Sequence, residues 1–307
     1  MQNNFSEYLL YRKVKIMNSI SLKALAKINL GLDVLNKRSD GYHEVRMIMQ
    51  TINLYDELVI QKSNTRQITL KTNLSYLPIN ENNLVYKAAN LLMEEFKLTE
   101  GVHIDLQKHI PVAAGLAGGS SDAAATLVGM NELFQLNLSK NELMKRGASL
   151  GADIPYCILR GTALSEGIGE ILTPIPPMVD CFILIAKPDI HVSTKFVYEN
   201  LILDHSLTHP NIQNIMNGIR CKNLNEICNN LGNVLESVTI PHYPVIQEIK
   251  SLMIKSGARG ALMSGSGPTV FGIFDNHETA VAAEQAMIMS HLAKDIVLTT
   301  CYNTTKK

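Results

Sequence analysis

The chain has 307 residues, 46% of them hydrophobic, and its 28 Lys and Arg balance 28 Asp and Glu to no net charge with histidine neutral. Length and apolar content suit a substantial core divided between two lobes. Without a broad basic field to attract nucleic acid or an anionic membrane, any bound anion has to be held locally, by a loop or by one or two cations. No apolar run approaches bilayer length. The five cysteines are scattered without zinc spacing and read as reduced thiols in a cytoplasmic protein. Residues 1–18 form an N-terminal extension whose charges follow its apolar run, the wrong order for a signal peptide. A chain beginning at Met17 is expected to fold and work without residues 1–16.

Residues 22–35 alternate Ile28, Leu30, Leu32 and Val34 with Lys27, Asn29, Gly31 and Asp33. That is the period of a half-buried strand, and it sends Lys27 and Asn29 off the same face. A turn at Arg38-Ser39-Asp40-Gly41 leads into strands over 47–60 and 67–72. A helix over 83–96 and a strand over 102–110 follow. After a glycine-rich stretch comes a helix with Ala123, Leu127, Met130 and Phe134 on one side. The next helix, over 141–150, ends at Gly151, and Pro155 is expected to keep Ile154 out of helical space. Asp153 is thereby left at an irregular junction, from which its carboxylate can project. Strands near 157–164 and 170–172 precede Pro174-Ile175-Pro176-Pro177, a concentrated proline cluster that divides the chain into lobes of residues 19–175 and 176–307. A strand over 181–186, several helices between 193 and 256, strands over 258–263 and 269–274, a helix over 277–291 and a strand over 295–301 complete the chain.

The strongest chemical signal is Pro111-Val112-Ala113-Ala114-Gly115-Leu116-Ala117-Gly118-Gly119-Ser120-Ser121, which follows a strand and opens a helix. Its glycines let successive N–H groups point into one concavity. Ser120 or Ser121 can cap the helix, whose dipole adds to those donors. Together they make a phosphate cradle. A capped helix behind a flexible loop would look the same in isolation. The stretch lacks the Gly-Lys-Ser/Thr of a Walker loop and the spacing of a dinucleotide fingerprint. Gly265, Ser266 and Gly267 form a second glycine-rich turn between two strands. Alone it is a tight turn; beside the first loop it is a second nest of donors. Lys27 with Asn29, the run Asp40-Gly41-Tyr42-His43, and Asp153 complete the set. Each has an ordinary structural reading when taken singly.

These elements in this order resemble the GHMP kinases. Residues 111–125 look like the family's ATP-phosphate motif, and residues 27–29 and 264–269 like its first and third motifs. The resemblance runs from about Leu22 to the last strand. The details at 40–43, 118–122, 151–155 and 166–170 point to a branch acting on a cytidine diphosphate-linked alcohol of the non-mevalonate isoprenoid pathway. The resemblance implies an α/β (α+β) two-lobed fold, with an N-terminal lobe like ribosomal protein S5 domain 2 and a ferredoxin-like C-terminal lobe. It implies ATP on residues 111–121, with Mg2+. Lys27 and Asp153 would flank the acceptor hydroxyl, and Asn29 would touch the substrate. Tyr42 and Tyr198 would stack on cytosine, His43 would read its edge, Thr194 would add a polar contact, and Gly265, Ser266 and Gly267 would help hold the substrate. Which side chain, if any, binds Mg2+ is not legible. Two rivals stay open here: a sister kinase of homoserine or mevalonate type, and a catalytically silent nucleotide-binding relative.

Overall fold

The structure, a computed structural model, describes residues 17–205 and 207–304. The expected extension over residues 1–16 lies outside them. Two long antiparallel strands, β1 (Ser19–Lys37) and β2 (His43–Ser63), form the spine. They are followed by β3 (Ile68–Thr72), α1 (Leu84–Glu95), β4 (Gly101–Gln107), α2 (Gly118–Leu133), α3 (Lys140–Leu150), α4 (Ile154–Leu159), β5 (Thr162–Glu166) and β6 (Ile171–Pro174). Residues 175–181 lead into β7 (Phe182–Lys187), α5 (Thr194–Glu199), α6 (Ile212–Arg220), α7 (Leu224–Asn229) and β8 (Gly232–Asn233). Then come α8 (Glu236–His242), α9 (Val245–Lys255), β9 (Gly260–Met263), β10 (Val270–Phe274), α10 (His277–Ser290) and β11 (Asp295–Thr300). The first sheet runs β3-β4-β2-β1-β8, with β5 on β2 and β6 on β5; the second runs β11-β7-β10-β9 and is antiparallel throughout.

The helix signals in the sequence act as physical chemistry requires. Asn83 caps α1 by accepting from Val85 N–H, and Ser139 with Glu142 forms a capping box on α3. The alanine-rich α2 is buried on most of its surface rather than along one stripe, with Ala123, Leu127 and Met130 among its buried residues. It lies so close to the sheet that a Cβ on Gly129 would sit 2.7 Å from both Ile60 and Leu22.

Four local expectations need correction. β1 is not half-buried: Lys27, Asn29 and Asp33 are buried along with its apolar residues. Nor do its apolar residues share one face. The register slips between Asn29 and Gly31, so Ala26, Ile28 and Leu30 pack with Phe271, Ile273 and Ile215, whereas Leu32 and Val34 join the core of α1 and α2. A bulge breaks the period of two. Cys157 lies in α4 rather than in a strand, and Ile154 is helical, because Pro155 occupies the first turn, where a missing N–H costs nothing. β4 stops at Gln107 because the N–H groups of His109 and Ile110 turn to the Asp56 carboxylate instead of a neighbouring strand. Finally, the residue capping α2 is Ala117 in left-handed backbone, with no side-chain cap; Ser120 and Ser121 lie inside the helix.

Candidate active site

A cleft of about 1120 Å3 brings together most of the residues singled out in the sequence. Lys27, Asn29, Tyr42, His43, Asp153, Thr194, Tyr198, Gly265 and Ser266 line it, as do Pro111, Val112, Ala113, Ala114, Gly115, Ala117, Gly118, Gly119 and Ser120. Leu116, Ser121 and Gly267 stand behind its wall. Leu116 is buried and accepts Lys27 N–H on its carbonyl, the Ser121 hydroxyl donates to Leu25 O at 2.7 Å, and a Cβ on Gly267 would point at Met263.

The loop between β4 and α2 is shaped by left-handed residues at alternate positions, Ala113 at φ 52°, Gly115 at 73° and Ala117 at 56°. Non-glycine residues in this region are held there by their surroundings at some expense of energy, a recurrent feature of ligand-holding loops. The first α2 bond runs from Ser121 N–H to Ala117 O, so the N–H groups of Gly118, Gly119 and Ser120 precede the helical ladder. At a helix N-terminus such donors suit an anion.

Lys27 reaches this loop from β1. Its ammonium donates to Asn29 Oδ1 at 2.6 Å and to Gly115 O at 3.0 Å. The second glycine turn meets the first at the same point, where Ser264 Oγ donates to Gly115 O at 3.0 Å. Asn233 in β8 holds that turn by donating to Met263 O and Gly265 O at 2.9 and 2.7 Å. The loops are so tightly apposed that a Cβ on Gly115 would stand 2.2 Å from Ser264 O, with φ already in glycine's range. Gly115→Ala is therefore expected to lower stability by on the order of 1–3 kcal/mol, which denaturant unfolding checks.

At the far end, an Arg38–Asp40–Glu44 ion-pair cluster holds the turn before β2, and Asp40 also accepts Tyr42 N–H. The Arg38 guanidinium keeps the Asp40 carboxyl below its ordinary range. Tyr42 is consequently presented with 60% of its surface exposed. The His43 ring packs on Tyr198 of α5 with centroids 5.2 Å apart and planes tilted by 39°. Burial, then the charge of Lys37, lowers the His43 pKa and favours the neutral ring. Burial pushes the Tyr198 phenol up to about 12, and the charge of Asp153 adds to the shift. Thr194 Oγ1 and Ser266 Oγ are 2.8 Å apart, tying α5 to the second glycine turn.

Residues 83–161 match the GHMP kinases N terminal domain and residues 212–292 the GHMP kinases C terminal domain. The 4-diphosphocytidyl-2-C-methyl-D-erythritol kinase of Lachnoclostridium phytofermentans is 60% identical over 87% of this chain and 92% of its own length. The chain belongs to the 4-diphosphocytidyl-2-C-methyl-D-erythritol kinase family. The enzyme of that name from Lachnospira eligens is 55% identical over 92% of this chain and 98% of its own. A crystal structure of 4-(cytidine 5'-diphospho)-2C-methyl-D-erythritol kinase superposes with a TM-score of 0.81 at 30% identity, covering 93% of this chain and all of that one. The homoserine kinase of Cytophaga hutchinsonii, at TM-score 0.73 and 19% identity, shares the fold. The two-lobed GHMP kinase fold and the assignment as a kinase expected from sequence therefore hold.

Within the cleft of this family member, reasoning from sequence missed a buried ionic row. Lys108, after β4, pairs with Asp56 of β2 and with Asp122 of α2, the latter at 2.7 Å. All three side chains are at most 4% exposed, and Lys108 and Asp122 line the cleft. Burial disfavours the Lys108 charge, but the two carboxylates outweigh it and leave its pKa above the ordinary value. Burial raises Asp122 to about 8, with Lys108 opposing and Asp56 adding to the shift. Asn233 was also missed. Asp122 closes the 118–122 run, but no sequence signal marks Asp56, Lys108 or Asn233, since an Asp in a strand and a Lys after one are ordinary surface residues in most proteins.

Among the described residues, no group of three or more His, Cys, Asp or Glu side chains could hold a metal ion. The side chains present do not form a protein cage for Mg2+, which characteristically keeps water and phosphate ligands. Among the described residues no helix is long and apolar enough to cross a membrane.

Proposed function

We propose that this chain is a cytoplasmic enzyme that transfers the γ-phosphoryl group of ATP to the 2-hydroxyl of 4-diphosphocytidyl-2-C-methyl-D-erythritol. The observation that carries this reading is one cleft with the phosphate-type loop and Lys27 at one end and the His43–Tyr198 ring pair at the other. Asp153 lines the same cleft, and its charge adds to the rise that burial gives the Tyr198 phenol. The relatives named for this activity, at 55–60% identity over nearly their whole length, support the same substrate. Residues 19–175 would form the ATP-binding lobe and residues 176–307 the second lobe.

The triphosphate lies on residues 111–121, its oxygens facing the free N–H groups of Gly118, Gly119 and Ser120. Mg2+ carried in with the nucleotide would neutralise phosphate charge, and no step depends on a side chain holding it. Asp153 orients the acceptor hydroxyl and takes its proton as the oxygen bonds to the γ-phosphorus and the bond to the β-phosphate oxygen breaks, releasing ADP. Lys27 balances the charge on Asp153 and on the transferring group. Such transfers are mostly positioning and electrostatics, so this short list is chemically sufficient. Asn29 and the second turn at Gly265, Ser266 and Gly267 hold the substrate near Lys27. Tyr42 and Tyr198 stack on cytosine, His43 reads its edge, and Thr194 adds a polar contact. Steady-state assays with the cytidine diphosphate substrate, homoserine and mevalonate, each with ATP and Mg2+, test the reading. ADP release dependent on the cytidine substrate alone supports it; turnover of either other alcohol, or of none, overturns it.

A further inference from the structure

The row Asp56–Lys108–Asp122 sets two carboxylates against one ammonium inside the wall of a cleft built for a polyanion. The two carboxylates are not equivalent. Asp56 Oδ1 accepts the N–H groups of His109 and Ile110, and its Oδ2 takes Lys108, so both of its oxygens are occupied. Asp122 gives Oδ2 to Lys108, and its buried Oδ1 has no hydrogen-bond partner. This orphan oxygen lies close to the phosphate loop. Asp122 sits one helical turn beyond Gly118, on the same face of α2. A Cβ on Gly118 would stand 3.3 Å from Lys108 Nζ. A buried carboxylate oxygen without a donor costs free energy, and the phosphates of a nucleotide settling nearby would raise that cost.

We propose that Asp122 is a positioning residue for ATP that takes up a proton as the nucleotide binds. The proton comes from solvent and bonds to Oδ1, leaving a neutral acid whose other oxygen still accepts from Lys108. Lys108 is then balanced by Asp56 alone, and the wall facing the phosphates carries no net charge. This inference rests on the reading that ATP occupies residues 111–121.

The free protein already leans this way, since burial raises the Asp122 carboxyl toward neutral pH and beyond. The titratable and charged groups that face Asp122 come from several elements. From β2 it faces Asp56 and from the β4–α2 segment Lys108, with the exposed His109 next along the chain. From α4 it faces the Cys157 thiol, which burial pushes far up, with the charge of Asp153 adding, Lys27 of β1 opposing and Asp122 itself adding. The ionisable residues of α1 and α3, such as Lys87, Glu94 and Lys145, point to solvent. Phosphate oxygens lose their last proton near pH 6, so ATP keeps one charge state above about pH 7.5.

Binding of ATP to the full-length protein, measured by calorimetry between about pH 7 and 9.5, tests the proposal. Because the proton is linked to binding, Kd should be flat at the lower end. It should rise toward about tenfold per pH unit once Asp122 is ionised in the free protein. Asp122→Asn, which mimics the neutral acid, should bind ATP with a Kd that does not change across the range. Calorimetry of the unaltered protein at pH 8.5 in buffers of different ionisation enthalpy should register net proton uptake, a readout that does not require the variant to fold. A flat wild-type profile, a slope that survives in Asp122→Asn, or zero proton uptake overturns the proposal. ATP binding without proton uptake overturns it alone, whereas no ATP binding at any pH overturns the proposed function as well.

Discussion

Asp153→Asn is expected to lower kcat by a factor on the order of 10²–10⁴, the usual weight of a positioned general base, while the fold survives. The side chain caps α4 without making a capping hydrogen bond, so its replacement by an isostere removes no structural contact of that kind. Lys27→Ala is expected to lower kcat by on the order of 10²–10³, as for the loss of one charge-stabilising donor. Lys27 does carry structure, because its ammonium joins Asn29 and Gly115 O in a buried setting. Circular dichroism and a thermal melt must therefore accompany the kinetics for this variant. A folded Lys27→Ala or Asp153→Asn protein with nearly normal kcat removes that residue from the mechanism. If both lose activity but only through a raised KM, the pair binds substrate rather than acting in the transition state.

Tyr198→Ala is expected to raise the KM for the cytidine substrate roughly ten- to a hundredfold, from a stacking contribution on the order of 1–3 kcal/mol. The KM for ATP should hardly move. His43→Ala should instead relax selectivity toward a uridine analogue, since an unmatched polar edge is what normally rejects the wrong base. The lowered His43 pKa adds a sign. The neutral ring prevails at neutral pH, and acidification through its titration charges it. Cytidine KM should consequently rise at acid pH in the wild type and not in His43→Ala. The rival account makes Tyr42 and His43 mere shapers of the turn. The turn is already held by Arg38, Asp40 and Glu44, and Tyr42 is mostly exposed, so loss of stability without loss of cytosine preference would favour that account. Cytidine and ATP KM values that rise together would displace the base pocket altogether.

What could be read from the sequence was what depends on neighbours along the chain. Glycines at 115, 118 and 119 ahead of an alanine-rich helix announce a donor-lined loop, because positive φ and an open helix end are local properties. A two-residue spacing put Lys27 and Asn29 on one face, and their side chains do meet at 2.6 Å. The order of strands and helices followed from apolar period and turn residues for the same reason. Where the period failed, the cause was distant. β1 slips register after Asn29, its residues then pack into different cores, and both of its faces are covered by elements far along the chain. The ionic row depends on Asp56 meeting Lys108 across 52 residues, and the joining of the glycine loops on Ser264 reaching Gly115 across 149. Composition and periodicity carry no record of which buried polar group will meet which. Burial decides it, because a polar group removed from water has to find its partner wherever packing brings one. The sequence alone thus determined the loop, the shared face of Lys27 and Asn29, and the turn before Tyr42. Only tertiary packing decided that Asn233 would steady the second loop, and that Asp122 would be left with one carboxylate oxygen unpaired beside the first.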